Sequence, residues 1–191
     1  MNSEELLRQY KIGTRNFQNC NLTREVFRNT NLSKTNFSQA ILTEADFTET
    51  NLEQAIFEGA DLNLSNLTQA KLTQANLSFA SLHSALLYKT ALDKAKLRQA
   101  NLTQAILKRA FLREANLSQA ILIAADFQQA NLIDADLTGA NLTEANLEKA
   151  FLQGANLFEA CIEGANLEQA VLTGAIMPDG KIYKEVKIWE H

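Results

Sequence analysis

The chain has 191 residues, of which 46% are apolar and 21% charged, and its formal net charge is −4. This composition excludes a disordered chain, because it supplies enough apolar surface for one folded domain. Two cysteines exclude a disulfide framework. No N-terminal stretch combines positive charge with an apolar run of signal-peptide length, and no window approaches the eighteen continuous apolar residues that could span a membrane. We therefore expect a soluble cytoplasmic protein that does not bind a membrane.

The first predicted element is a helical cap over residues 1–14. Ser3 is a suitable N-cap, and two acidic residues follow it in the first turn. Leu6 and Tyr10 fall on one face of the predicted helix, and Gly13 is a suitable stop. We expect this helix to cover one end of the structure that follows it.

Residues 15–177 carry an internal repeat of five residues. Every position ending in 2 or 7, from Phe17 to Leu172, is Leu, Phe or Ile. Of the 32 positions ending in 0 or 5 from Cys20 to Ala175, 25 are Ala. The residue between them is Asn or Asp in more than half of the units. A period of five fits neither a helix nor a strand. The repeat therefore predicts a chain that turns a corner once per unit, with the large and the small residue both pointing inward.

Units such as Ala-Asp-Leu-Thr-Gly at 135–139 and Ala-Asn-Leu-Thr-Glu at 140–144 resemble those of the pentapeptide-repeat family. The resemblance covers roughly Phe17 to Met177. It implies an all-β fold, a right-handed quadrilateral parallel β-helix with four units per coil. Counting units then gives about eight coils and a length of ~38 Å at a spacing of ~4.8 Å per coil.

Glycine within the repeat occupies only one place in the unit. All five repeat glycines are the last residue of their units: Gly59, Gly139, Gly154, Gly164 and Gly174. Glycine tolerates a positive φ better than any other residue. The last position of the unit is therefore where we expect the corner to require a positive φ.

Residues 178–191 form a predicted capping tail. Ile182, Val186 and Trp189 suit a helix, whereas Ile182, Val186 and Ile188 suit a strand, and periodicity over so few residues does not decide between them. The tail either packs on the last coil or joins two copies of the chain. The protein is then a monomer or a homodimer through this tail.

Both end segments resemble those of cyanobacterial members of the family. Residues 10–17 have the pattern Tyr-x-x-Gly-x-Arg-x-Phe, and residues 176–180 read Ile-Met-Pro-Asp-Gly. One cyanobacterial relative regulates heterocyst differentiation, so the resemblance allows a regulatory role. Other members of the family imitate DNA and protect DNA gyrase.

Residues that could perform catalysis are sparse and far apart. His83 and His191 are the two histidines, and no phosphate-binding or dinucleotide motif is present. Outward carboxylates on a convex prism lack the dry concave pocket that shifts a pKa for acid or base chemistry. We therefore predict that the protein is not an enzyme and has no catalytic residue, metal site or cofactor.

Charge on the outer surface changes along the chain in bands. Residues 71–113 have a net charge of +7, residues 114–169 have −8, and the repeat motif is weakest at residues 79–91. Exposed apolar side chains beside cations are typical of an interaction hot spot. The candidate interaction surface consists of Phe79, Leu86, Tyr88, Lys89, Lys94, Lys96, Arg98, Lys108, Arg109 and Arg113.

The sequence favours a non-enzymatic interaction module, acting as a scaffold or regulator, with an unidentified protein partner. The alternative is a DNA mimic that inhibits or protects DNA gyrase. The acidic residues 114–169 approach the charge density of DNA, about one charge per 1.7 Å of axis. Direct binding of nucleic acid is disfavoured, because acidic bands on both sides of the basic residues would repel phosphates.

Overall fold

The computed structural model describes residues 1–184; residues 185–191 lie outside the described part. One helix, α1 (Ser3–Lys11), precedes a long succession of turns. In each unit, the residue just before the central Leu or Phe forms a parallel bridge with its equivalent twenty positions later. These bridges run from Asn16↔Asn36 to Asn156↔Ile176. Since twenty residues hold four units, four units complete one coil, and the coils stack in parallel as a quadrilateral β-helix.

The sides of this helix are shorter than ordinary strands. In the described residues every bridge is isolated, with one bridging residue per unit, and no extended strand forms. The parallel pairing agrees with the all-β prediction, whereas the sides differ from regular strands because each unit contains a turn. Only one residue per side remains between consecutive turns to pair with the neighbouring coil.

Every backbone N–H of a regular unit has a partner, as residues 116–120 illustrate. Asn116 donates to the preceding coil at 2.9 Å, Leu117 and Gln119 donate to the following coil at 2.7 and 2.8 Å, and Ala120 donates across the turn at 3.0 Å. The remaining N–H, that of Ser118, donates to Oδ1 of Asn116 at 2.9 Å. An Asn or Asp side chain thus satisfies the amide that the main chain leaves over, which explains its frequency before the central residue.

The corner of each unit lies at its last residue, as predicted from the glycines. All last residues from Asn19 to Gly174 have φ between +53° and +78°, and 27 of them are not glycine. This conformation costs a residue other than glycine about 1 kcal/mol or more. Because the hydrogen bonds of the coil hold the corner from both sides, the sequence tolerates Gln, Glu and Lys there.

Large side chains fill the interior of the coils. The central residues from Phe17 to Leu157 are buried, together with the alanines that precede them. Phenylalanine concentrates in the first coils, where its rings stack along two sides of the shaft. The ring centroids of Phe27 and Phe47 lie 5.0 Å apart, and those of Phe37 and Phe57 lie 5.2 Å apart.

Helix α1 begins one residue earlier than its sequence pattern indicates. The N-cap is Asn2, whose Oδ1 accepts the N–H of Glu5 at 2.9 Å, so the prediction of Ser3 was wrong. The N–H of Ser3 instead donates to Oε2 of Glu25, in the first coil, at 2.7 Å. Glu25 occupies a place that is usually Ala, and its carboxylate caps the positive end of α1. This contact explains why the repeat is broken at that position.

The other end of α1 stops where the sequence predicts. Gly13 has a φ of +103°; its N–H donates to the carbonyl of Tyr10 at 3.1 Å, and the N–H of Thr14 donates to that of Gln9 at 3.0 Å. These two bonds form a Schellman motif, which satisfies the last carbonyls of the helix. Leu6 is buried against the first coil, so α1 covers the apolar end of the stack.

The C-terminal segment folds back on the last units as far as it is described. Ile182 forms an antiparallel bridge with Ile176, and the N–H of Tyr183 donates to the carbonyl of Ala175 at 2.7 Å. These residues are extended, as expected if the tail forms a strand and not a helix. Residues 186–189, on which the choice between helix and strand depended, lie outside the described residues.

Buried hydroxyl groups in the core allow a first prediction. The Ser65 hydroxyl is buried without a hydrogen-bond partner in the described residues, whereas the Thr90 hydroxyl donates to the carbonyl of Leu67 at 2.7 Å. An unpaired buried polar group costs about 1–3 kcal/mol. We expect Ser65→Ala to raise the free energy of unfolding in urea by about 1 kcal/mol. The control, Thr90→Ala, should lower it by a similar amount; stabilisation by both or neither would contradict the hydrogen-bond assignment.

Candidate interaction surface

Stacking of the coils distributes the ten candidate residues over three sides of the prism. The Tyr88 side carries the units centred on residues 27 to 167 in steps of twenty, and the Phe79 side carries those centred on residues 17 to 157. Units two apart lie on opposite sides of a four-sided coil. The Tyr88 side holds Leu86, Tyr88, Lys89, Lys108 and Arg109, the Phe79 side holds Phe79, Lys96 and Arg98, and the side between them holds Lys94 and Arg113.

The stacking of the coils separates the two outward aromatic residues of segment 79–91. Phe79 and Tyr88 are only nine residues apart, but they lie on opposite sides of the prism. The reason is that the chain turns two corners between them. A single partner face can contact one of these aromatic side chains and not the other.

The Tyr88 side contains an exposed apolar pair that crosses two coils. Leu86 and Ile106 are bridge partners in adjacent coils, and 39% and 37% of their surfaces are exposed. Ile106 was not among the sequence candidates, because it lies twenty residues from Leu86. The repeat arithmetic could have found it, since residues twenty apart are neighbours on one side.

Tyr88 lies beside this pair and among cations. The Nζ atom of Lys89 is 5.3 Å from the centroid of the Tyr88 ring. A shallow depression of about 210 Å³ lies next to it, lined by Tyr88, Lys108, Arg109, Gln128 and Gln129. The Nε atom of Arg109 donates to Oε1 of Gln129 at 2.8 Å, which orients the guanidinium group at the rim. The two glutamines are further residues that the sequence did not single out.

Electrostatics at Tyr88 reflect the surrounding cations. Partial desolvation by itself raises the pKa of the Tyr88 phenol, but the charges of Lys89 and Arg109 outweigh it, and the pKa is lowered from its ordinary value. The same field that favours a phenolate would favour a carboxylate of a bound partner.

Part of the basic charge is neutralised by the acidic residues of the next coils. Three cations of the candidate set form ion pairs with them: Lys94 with Glu114 at 3.4 Å, Lys108 with Asp126 at 3.2 Å and Arg113 with Asp134 at 3.9 Å. Within residues 1–184, Lys89 and Arg109 have no ion pair, and they occupy equivalent positions in adjacent coils. The charge available to a partner on the Tyr88 side therefore comes mainly from these two residues.

The Phe79 side is simpler. Half of the Phe79 side chain is exposed, and the guanidinium carbon of Arg98 lies 5.9 Å from the centroid of its ring. Arg98 also donates to Oε1 of Gln119 at 3.3 Å. Lys96, on the flat part of this side, has no ion pair among the described residues. Within the coils of Phe79 and Arg98, this side offers one aromatic group and two cations, without an exposed apolar pair like that of Leu86 and Ile106.

Side chains that could hold a metal do not cluster in the part of the chain that the structure describes. Across residues 1–184 no group of three His, Cys, Asp or Glu residues is placed to bind an ion. His83 is half-buried on the outer surface, and His191 lies outside the described residues. Among the described helices none is long and apolar enough to cross a membrane.

Comparison with protein families finds one match. The model for pentapeptide repeats matches the chain in eight copies, over residues 16–48, 60–99, 95–134, 120–158 and 135–174. These segments cover most of the bridged coils. A search of the curated proteins finds no match.

HetL and QnrB1 are two of the solved proteins whose structures are similar over most of the chain. HetL, a pentapeptide repeat protein involved in heterocyst differentiation regulation in the cyanobacterium Nostoc sp. strain PCC 7120, is 35% identical over 96% of this chain and 100% of its own, with a TM-score of 0.51. QnrB1, a plasmid-mediated fluoroquinolone resistance protein, is 19% identical over 83% of this chain and 85% of its own, with a TM-score of 0.67. The second likeness is one of fold, and together they imply the right-handed form of the quadrilateral β-helix.

Proposed function

This chain belongs to the pentapeptide-repeat family, and we propose that it is a non-enzymatic interaction module that binds a protein partner on the outside of its β-helix. The observation that carries the proposal is the exposed apolar pair of Leu86 and Ile106 beside Tyr88 and two cations that form no ion pair within residues 1–184. Apolar and aromatic side chains exposed next to arginine are the composition of binding hot spots.

The proposal assigns a role to each part of the chain. Residues 1–14 cap the β-helix, residues 15–177 form it, and residues 178–191 are a capping tail. At twenty residues per coil the repeat amounts to about eight coils, a surface ~38 Å long. We place the protein in the cytoplasm, as its composition predicts. Its similarity to HetL supports a regulatory or scaffold role rather than a purely structural one.

The same proposal includes a monomer or a homodimer through the tail. Ile162 and Leu167, in the last full coil, are only partly buried in the described structure. An open coil end can be covered by a segment of the same chain or by a second copy. Sedimentation of the purified protein and of a variant that ends at residue 184 would distinguish these two assemblies.

A DNA mimic that acts on gyrase is the second candidate. In its favour are the acidic residues 114–169 and the likeness of fold to QnrB1. Against it, the carboxylates lie on all four sides, as Asp126, Asp134, Asp136 and Glu144 show, and several pair with cations. A supercoiling assay with gyrase tests this candidate; an unchanged rate with excess protein would exclude it.

Affinity capture from host lysate, with the full chain as bait, tests the leading proposal. We expect Tyr88→Ala to abolish or strongly reduce capture of the partner, because the side chain is central to the exposed cluster. Phe79→Ala is the matched control, since this aromatic residue lies on the opposite side. A partner lost with Phe79→Ala and kept with Tyr88→Ala would move the site to the Phe79 side. If neither variant changes the captured proteins, the candidate surface is wrong.

A further inference from the structure

We propose that the Tyr88 cluster, defined as Leu86, Tyr88, Lys89, Ile106 and Arg109, binds a short acidic segment of the partner protein that also carries an apolar side chain. The inference rests on the proposed function and names the chemistry of the partner. It follows from three properties of the cluster: its apolar row, its cationic row and the carboxylates that bound it.

The apolar row runs parallel to the prism axis. Leu86 and Ile106 are bridge partners, so their backbones are one coil apart, ~4.8 Å. The N–H of Leu87 donates to the carbonyl of Ile106 at 2.8 Å, which fixes this spacing. The backbone N–H groups of Leu86 and Ile106 both donate to the preceding coil, at 2.9 and 3.0 Å, so the row can receive one or two apolar side chains at little entropic cost.

The cationic row lies beside it, at the corner of the same side. Lys89 and Arg109 are the last residues of their units, and the N–H of Lys89 donates to the carbonyl of Lys108 at 3.0 Å in the next coil. Lys89 is also held near the Tyr88 ring, and Arg109 by Gln129. Neither has a carboxylate partner within residues 1–184. Two positioned cations with no carboxylate partner there favour an anionic ligand.

Carboxylates at both ends of the Tyr88 cluster limit the length of an anionic ligand that can bind along this side. Along the Tyr88 side, Glu49 lies two coils before Lys89, and Asp126, Glu148 and Glu168 follow Arg109. The positive stretch therefore covers about two coils, or ~10 Å of the axis. A short acidic segment fits this length, whereas a long polyanion along the axis would meet these carboxylates.

A nucleic acid fits the cluster less well for the same reason. Duplex DNA carries about one charge per 1.7 Å of axis and needs several phosphate contacts for affinity. The cluster offers two cations with no carboxylate partner in the described residues, and an apolar row that phosphates do not use. An acidic peptide uses both rows, and its carboxylates can accept hydrogen bonds from the guanidinium of Arg109 and the phenol of Tyr88.

Selection from a random peptide display library on the immobilised full chain tests this inference. We expect enrichment of peptides with two or more Asp or Glu residues next to Leu, Ile or Phe. The selected peptides are then synthesised with a fluorescent label and titrated by anisotropy. Arg109→Gln should weaken their binding about tenfold, the loss of one charge-assisted contact. Arg98→Gln removes a cation on the opposite side and should leave the affinity within about twofold.

Several outcomes would overturn the inference. They are selection of peptides without acidic residues, selection of none above background, equal binding to Arg109→Gln, and displacement of the peptides by a 20-base-pair duplex at lower concentration. Failure of the proposed function is distinguishable. If lysate capture depends on Tyr88 but the selected peptides are not acidic, the module stands and only the partner chemistry is wrong.

Discussion

Phe47→Ala is expected to lower the free energy of unfolding by about 3–5 kcal/mol. The ring is fully buried and has three aromatic neighbours, with centroids 5.0 Å from Phe27, 6.3 Å from Phe37 and 6.2 Å from Phe57. The coils are fixed by main-chain hydrogen bonds at every unit, so they cannot collapse into the space that the ring leaves. Urea unfolding followed by far-ultraviolet circular dichroism measures the loss.

A matched comparison separates the aromatic contribution from simple burial. Phe127 is equally buried on the same side but has no aromatic neighbour among the described residues. Leu is the commonest residue at the central position, so Phe47→Leu and Phe127→Leu should both fold. We expect Phe47→Leu to lower the free energy of unfolding more than Phe127→Leu does, by about 0.5–1.5 kcal/mol for each stacked pair lost. Equal losses would show that the stacked rings act only as apolar volume.

Gln104→Pro is expected to destabilise the protein by about 3 kcal/mol or more. The side chain of Gln104 is exposed, so the substitution tests the backbone alone. The residue has a φ of +58°, which proline cannot adopt, and its N–H donates to the carbonyl of Ile123 in the next coil at 2.9 Å. Proline would remove this hydrogen bond and open the corner. Thermal unfolding of the variant, with its coil structure checked by circular dichroism, measures the effect.

Gln104→Gly is the control for this corner. Glycine adopts the positive φ without steric cost but loses more entropy on folding, and the two effects oppose each other at about 1 kcal/mol each. We therefore expect the stability of the glycine variant to stay within about 1 kcal/mol of the original. If the proline variant were as stable as the glycine variant, the corner would not require the left-handed conformation.

Most of the fold follows from relations between residues that are close in the sequence. The inward positions were predictable because large and small apolar residues recur together every five residues. The positive φ of the corner was predictable from the place of the repeat glycines, and the stop of α1 from Gly13. Each of these features is marked by residues only a few positions apart, so it can be read from a single sequence.

The candidate site was only partly predictable. Its cations and outward aromatic residues can be identified in the sequence. Which of them are neighbours on the surface cannot be read from a continuous segment such as residues 79–91, because neighbours on one side are twenty residues apart. Phe79 and Tyr88 are close in the sequence but lie on opposite sides of the prism, and Ile106, which the sequence did not single out, lies beside Leu86. The N-cap of α1 was also not predictable from nearby residues. Glu25, twenty-two positions away, accepts the N–H of Ser3, and Asn2 rather than Ser3 is the N-cap.

By itself the sequence determined that the chain bends once every five residues, with aliphatic and aromatic groups inside and polar groups outside. The tertiary structure decided which outward residues are neighbours, which cations find a carboxylate and which remain available on the Tyr88 side. The physical reason is the register of twenty residues between stacked coils. Contacts within a unit are set by local backbone geometry, whereas contacts across the surface exist only once hydrogen bonds have fixed one coil upon the next.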